Sequence, residues 1–454
     1  MTGLGAPAPA PGLELRIVAE VKDAVAGVLS ERRRQAAIAP NPASDEEESA
    51  EAEVLIWEEL NQLARRRTRE GKEPLEAAVE QRVMERVRAD LFGLGGFEPY
   101  LADDSVEDIF VNGCDRVFLT RVGGGQVDQV EQIAESDEAL IELINRWAAR
   151  KGRTERRFDV ANPRLNLKLP GGFRMHAIME VTERPAVTIR CPRHRDVTLW
   201  GQQQLGTVDD RLARFLSAAV RARCNIIVSG GTGSGKTTLL RSLLFAVPAV
   251  ERIVTIEDTT ELGLSGFPER HPNVVEMETR DANLEGVGEI SMMDLTREVL
   301  RMSPDRVIVG EVRGAEALYM LKAMSQGNDG SMCSVHADSA RGVAGRLRGY
   351  VAEGAANIPP KVTDSFFNAA VDLIVHLSVI EDRRRVVSSV LEVEKSFDDE
   401  TRYNELFAPT PEGPARLVAR PTEPLLARLL KAGMDETVVR DDRVLSRPSR
   451  ARSR

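Results

Sequence analysis

The chain has 454 residues, 42% hydrophobic and 29% charged, with 61 Lys and Arg against 71 Asp and Glu. This is a soluble globular composition with ample core material, and its length predicts about three domains. A formal charge of −10 and 4% aromatic residues argue against a nucleic-acid or anionic-membrane surface, and no apolar run reaches the roughly 18 residues that span a bilayer.

Residues 1–12 are rich in Ala, Pro and Gly, with neither the basic start nor the apolar core of a signal peptide. They are predicted to be a disordered tail on a cytosolic protein. Residues 13–92 read as a helical region interrupted by an acidic, polar stretch at 41–53, where Glu46, Glu47 and Glu48 predict a solvated linker. Val54, Leu55, Ile56, Trp57, Leu60 and Leu63, then Leu75, Val79, Val83 and Val87, recur at helical spacing and are expected to pack together. Residues 93–195 alternate short apolar runs with turns around one helix (139–150). The run 117–121, followed by Gly123, Gly124 and Gly125, reads as a hairpin, which makes this region an α+β domain.

From 196 to 400, helices alternate with β-branched runs at 225–229, 252–256, 306–309, 331–335 and 373–377. That alternation predicts a mostly parallel sheet covered by helices. Residues 401–454 are Pro-rich, with one short helical piece (424–432) and a basic tail (447–454), and are expected to form a partly disordered extension. Cys114, Cys191, Cys224 and Cys333 include no C-x-x-C pair, so buried thiols are expected rather than a zinc site or disulfides.

The most informative segment is Gly230, Gly231, Thr232, Gly233, Ser234, Gly235, Lys236, Thr237 and Thr238, which enters from an apolar strand and satisfies G-x-x-x-x-G-K-[ST]. Glycines let successive backbone N–H groups turn onto phosphates, and the helix that follows adds its dipole. Lys236 is predicted to reach the β- and γ-phosphates of ATP, and the Thr237 hydroxyl to ligate Mg²⁺. Hydrolysis also needs acids. Glu257, Asp258 and Glu261 leave the strand at 252–256, and Glu311 ends the strand at 306–309. Carboxylates at such strand ends can hold a metal ion or orient the attacking water, so Thr237, Glu311 and Asp258 form the candidate metal set. His336 ends another predicted strand, where an imidazole could contact the terminal phosphate.

Four segments in order, 230–238, 256–261, 309–314 and 330–339, resemble the Walker A, Asp-box, Walker B and His-box motifs of the type II/type IV secretion ATPases. The wording of 301–318 is most similar to the CpaF-like branch, which drives Tad/Flp pilus assembly. Residues 99–118 look like the opening of that family's PAS-like N-terminal domain. The resemblance covers about 97–394. It implies an α/β fold: a RecA-like P-loop NTPase core, an α+β PAS-like N-terminal domain and, here, a helical N-terminal extension. It makes Glu261 the water-activating acid, Glu311 the Walker B acid beside Mg²⁺, and His336 the His-box residue. It also implies phosphate-directed arginines from the N-terminal domain. Arg174 and Arg190 match those positions, with Arg184 a weaker candidate. The family implies a ring, usually a homohexamer, that binds nucleotide between its two domains. Its partner would be an inner-membrane platform protein that holds the ring at the inner face of the membrane. Without a tetracysteine element the chain departs from the type II branch that carries one. A conjugation-type secretion ATPase and a nucleic-acid-translocating P-loop motor are the alternatives. A nucleotide-binding regulator without turnover is disfavoured by the intact Lys236, Glu261 and Glu311.

Overall fold

The structure is a computed structural model that describes residues 11–36, 45–122, 127–150, 157–193, 196–280, 282, 287–354, 358–381, 383–395 and 400–440. The chain divides into two compact units, Met1–Arg193 and His194–Arg454.

The first unit opens with α1 (Pro11–Ala36), α2 (Asp45–Arg69) and α3 (Ala77–Phe92). Ile17, Val21 and Val25, with Ile56, Leu60 and Leu63, and with Val79, Val83 and Val87, form one buried cluster, as the helical spacing predicts. Val54 and Trp57 are exceptions, 57% and 60% exposed on α2. The acidic stretch is not a linker throughout: α2 already begins at Asp45. Negative charge is favoured in a helix's first turn, and Ala52 and Ile56 bury a face that anchors the segment.

The same unit continues through α4 (Glu98–Ala102), β1 (Val106–Asn112), β2 (Val117–Arg121), β3 (Val127–Val130), α5 (Asp137–Arg150), β4 (Arg164–Lys168), β5 (Arg174–Ile178) and β6 (Ala186–Arg190). The strands form an antiparallel sheet in the order β3-β2-β1-β6-β5-β4. Leu140, Ile144 and Trp147 of α5 share its core with Ile109, Val111 and Leu119, so this region is the α+β domain that its alternating runs predict.

The second unit begins with α6 (Leu199–Gln204), α7 (Asp210–Arg221), β7 (Ile226–Gly230), α8 (Lys236–Leu244), β8 (Ile253–Glu257) and β9 (Val274–Glu278). It continues with α9 (Met292–Glu298), β10 (Arg306–Val312), α10 (Glu316–Ser325), β11 (Met332–His336), α11 (Val343–Gly354), α12 (Pro360–Ala370) and β12 (Leu373–Val379). Then follow β13 (Arg385–Glu394), β14 (Arg402–Ala408), β15 (Arg416–Leu417) and α13 (Glu423–Lys431). One sheet runs β15-β14-β13-β12-β7-β11-β10-β8-β9, parallel from β12 to β9 and antiparallel from β12 to β15. Every residue of β7 and of β8 is buried, because helices cover both faces of a parallel sheet. Ile226 and Val228 enter the core on one face and Ile227 the core on the other.

The predicted C-terminal extension is largely part of this fold. β14 pairs with β13, and Leu425, Leu426 and Leu429 of α13 join the cluster that holds Phe215 and Phe407. Burying three leucines contributes several kcal/mol at about 2 each, enough to hold a short helix that propensity alone would not. The basic tail 447–454, Gly123 to Gly125, and residues 1–10 and 41–44 lie outside the described residues.

Candidate phosphate-binding and hydrolytic site

The site forms at the C-terminal ends of the parallel strands, where the connection after β7 runs toward β8 and the one after its neighbour β11 runs the opposite way, toward β12. The loop from Gly230 to Gly235 joins β7 to α8. A Cβ on Gly230 would lie 2.6 Å from the Leu377 carbonyl oxygen, so only glycine passes there. Gly233 and Gly235 have φ of +71° and +93°, backbone that glycine adopts without strain. At Gly231 and Gly233 a Cβ would meet nothing within 4 Å. The loop therefore curls around open space at the N-terminus of α8, which fits a polyphosphate. Gly231 and Thr232 are exposed at the mouth, Ser234 and Lys236 are buried, and Thr238 is half-buried in the first turn of α8.

Lys236 is braced toward this space. Its Nζ donates to the carbonyls of Gly230 (3.2 Å) and Gly231 (3.0 Å) and lies 3.3 Å from both ring nitrogens of His336. His336 Nε2 is 2.8 Å from Glu311 Oε1. The geometry assigns the proton to Nε2, which donates to the carboxylate, and leaves the Nδ1 lone pair toward the ammonium. Burial, then Lys236, holds the His336 pKa below its ordinary value, with Glu311 pulling the other way, so the ring is neutral near pH 7. The other oxygen of Glu311 accepts from Arg313 Nε at 2.7 Å. Lys236, His336, Glu311 and Arg313 thus form one continuous polar chain.

The second acid arrives by a different route. Thr237 Oγ1 donates to Glu261 Oε2 at 3.0 Å. The turn that carries Glu261 is fixed by Glu257, 3% exposed at the end of β8, whose Oε1 accepts the N–H groups of Glu261 (2.9 Å) and Leu262 (3.0 Å). Buried Arg241 on α8 donates to the Leu262 carbonyl at 2.7 Å and secures the same turn. Glu257 in turn requires Gly310, where a Cβ would lie 2.8 Å from the Glu257 Cγ. The residue before Glu311 is glycine for that reason.

The structure thus brings together Lys236, Thr237, Glu261, Glu311 and His336. It does not bring Asp258 into this group. The carboxylate at Thr237 is Glu261, while Asp258 is exposed and accepts from the Thr279 hydroxyl at 2.9 Å. Asp258 is one residue past the strand and Glu261 four, and the intervening turn reverses which of them meets the loop. Among the described residues no group of three or more His, Cys, Asp or Glu could hold a metal ion by itself. Mg²⁺ takes few protein ligands and several from phosphates and water, and the Thr237 hydroxyl at the start of α8 would supply one of them.

In the first unit, Arg174 and Arg190 are direct cross-strand neighbours on β5 and β6, and Lys168 on β4 stands opposite Arg174. Like charges facing each other across strands are unfavourable unless an anion is shared. Arg190 Nε donates to Asp108 at 3.2 Å. Arg184 is a clamp instead: it donates to Asp137 at 2.7 Å and 2.8 Å and to Asp115 at 2.7 Å. The arginine holds the Asp137 carboxyl down to about 2.

Two functional contributors escape sequence reasoning. Arg385 of β13 donates from Nε to the Gly233 carbonyl at 2.9 Å. Arg313 holds Glu311, and its signal was its place two residues after the acid. Nothing near position 385 in sequence points to the phosphate loop.

Residues 93–389 match the family described as Type II/IV secretion system protein. A Mycobacterium tuberculosis H37Rv protein named "Putative conjugal transfer protein" is 35% identical over 312 residues, 67% of this chain and 85% of the relative. The conjugal transfer protein TrbB of Rhizobium radiobacter is 31% identical over 291 residues, 63% of this chain and 83% of its own. The VirB11 ATPase of the Brucella suis type IV secretion system, crystallised with sulphate, aligns over 69% of this chain and 96% of its own at 28% identity, with a TM-score of 0.35. A family match across most of the chain, together with relatives above 30% identity aligned over most of their length, shows that the chain belongs to the type II/IV secretion system protein family.

Proposed function

We propose that the protein is a Mg-ATP-hydrolysing motor that works as a ring, a homohexamer by family resemblance, and drives pilus assembly or secretion through an inner-membrane platform protein. One observation carries the hydrolytic part: two separately positioned acids converge on one phosphate loop, Glu261 at Thr237 and Glu311 through His336 at Lys236. A simple nucleotide-binding module would need neither.

The loop amides and Lys236 bind the polyphosphate, and the ammonium exchanges its loop carbonyls for phosphate oxygens. Bound Mg²⁺ would neutralise charge on the β- and γ-phosphates. Glu261, held by the buried Glu257, stands as the general base that orients and deprotonates water. His336 passes the state of Lys236 to Glu311 through one hydrogen-bonded ring. Arg174 and Arg190, side by side on β5 and β6 of the first unit, carry guanidinium groups of the kind that bind phosphate oxygens, the role that the family resemblance implies for them. Among the described residues no helix is long and apolar enough to cross a membrane; in this reading the ring works at the cytoplasmic face and meets the membrane through its platform partner.

The wording of 301–318 favours a Tad/Flp-type pilus as the output. The conjugal-transfer names of the relatives favour a second reading, a conjugation-type secretion ATPase. Phosphate release by the purified protein with Mg-ATP tests the motor, and no release above background would reject it. A deletion strain separates the outputs: loss of surface filaments supports the pilus reading, and loss of plasmid transfer the conjugation reading.

A further inference from the structure

The peptide units of the phosphate loop are oriented through their carbonyls. Lys236 holds those of Gly230 and Gly231, and Ser234 Oγ also donates to Gly231 at 2.9 Å. The Gly233 carbonyl is held from far away in sequence, by Arg385 Nε at 2.9 Å. The Arg385 Cδ would lie 3.5 Å from a Cβ on Gly235, so the side chain lies along the loop. Two features deliver it there. β12 runs beside β7 in the register Leu377↔Gly230, and the tight β12–β13 turn is closed by Ile380 N–H to the Arg384 carbonyl at 3.0 Å.

Gly233 sits at φ +71° with open space around it, so its own sterics do not stop the peptide between Gly233 and Ser234 from rotating, and on its other side that peptide has the long Ser234 N–H donation to the Gly231 carbonyl at 3.4 Å. A rotated peptide would turn its carbonyl toward the phosphates and withdraw the Ser234 N–H from them. We propose that Arg385 is a positioning residue that fixes this peptide, keeping the loop ready for polyphosphate before nucleotide arrives. Lys236 gives up carbonyl contacts to reach phosphate, so Arg385 on Gly233 and the Ser234 hydroxyl on Gly231 remain as anchors of the loop. This inference rests on the nucleotide-binding reading of the same loop.

The test is nucleotide affinity against turnover in the full-length protein. Arg385→Ala is expected to weaken ATP and ADP binding alike by about tenfold and to raise KM by the same factor with kcat unchanged, as for loss of one charge-assisted hydrogen bond. Arg385→Lys, which can still donate to a carbonyl, is expected to recover most of that affinity. Arg384→Ala, whose side chain donates to the Glu412 carbonyl at 2.9 Å, is expected to match the wild type. Melting without nucleotide shows whether Arg385→Ala is folded; if it is not, Arg385→Met, which keeps the apolar stem along the loop and cannot donate, carries the same expected rise in KM. An unchanged KM, a loss carried in kcat instead, or an equal loss in Arg384→Ala overturns the inference. Wild-type protein that binds no nucleotide at all would overturn the proposed function beneath it.

Discussion

The two ends of the parallel sheet in the second unit use charge in opposite ways. At the strand starts, Arg306 is fully buried and donates to Glu251 at 2.8 Å and 3.0 Å, with Arg223 on the same carboxylate at 2.6 Å. Asp372, 7% exposed, accepts from Arg428 at 2.9 Å and from the backbone of Asn225 at 2.9 Å, while Lys395 stands 3.2 Å away. The Asn225 amide ties four further backbone groups at the same end. These charges are paired, hydrogen-bonded and closed. At the strand ends, Lys236, His336 and Glu311 are also paired, but around an open cradle, and with His336 and Glu311 36% and 21% exposed. Structural charge is sealed because an unpaired buried ion is costly, and functional charge is left where a ligand can replace its partner.

Four substitutions or conditions would break that contrast, and they are ordered here by expected size. Lys236→Ala should reduce turnover by about a thousandfold, since it removes the principal phosphate donor; phosphate release near the wild-type rate would refute the site. At the closed end, Arg306→Met should cost about 3 kcal/mol in denaturant unfolding by removing two hydrogen bonds from the Glu251 carboxylate and leaving it to Arg223, yet leave kcat per folded molecule unchanged. Glu311→Gln should keep nucleotide affinity and lower kcat by about a hundredfold, which equilibrium binding beside single-turnover kinetics would separate.

The smallest effect concerns pH. Burial lowers the pKa of His271 and of His376, and burial with Lys236 lowers that of His336. A depressed histidine is neutral in the fold and takes up protons more readily when unfolded. Stability is therefore fully present above the ordinary value of 6.5 and is lost as pH falls below it. The denaturant midpoint should drop between about pH 7.5 and about pH 5.5, and His376→Asn, which keeps a polar partner for Ser229, should flatten that drop.

The local pattern was legible where one segment carries its own signal. The P-loop combines a β-branched strand, glycines at positions needing positive φ, and Lys-Thr opening a helix, so each piece declares itself. Five of the six parallel strands are legible because burial on both faces leaves short, mostly apolar runs, whereas β9, half-buried and carrying Glu276 and Glu278, is not. β13 and β14 were not, because Ser388, Ser389 and Asn404 interrupt their apolar runs, and α13 was left in a loose extension because its three leucines gain value only against Phe215 and Phe407.

Sequence alone determined the phosphate cradle, its lysine, the acids as a group and the alternation that makes the sheet, since each depends on residues within a few positions. Tertiary structure decided that Glu261 rather than Asp258 meets Thr237, that His336 joins Lys236 to Glu311, and that Arg385 grips Gly233. Those choices are set by strand register and turn geometry, which bring together groups up to 152 residues apart and which local spacing does not encode.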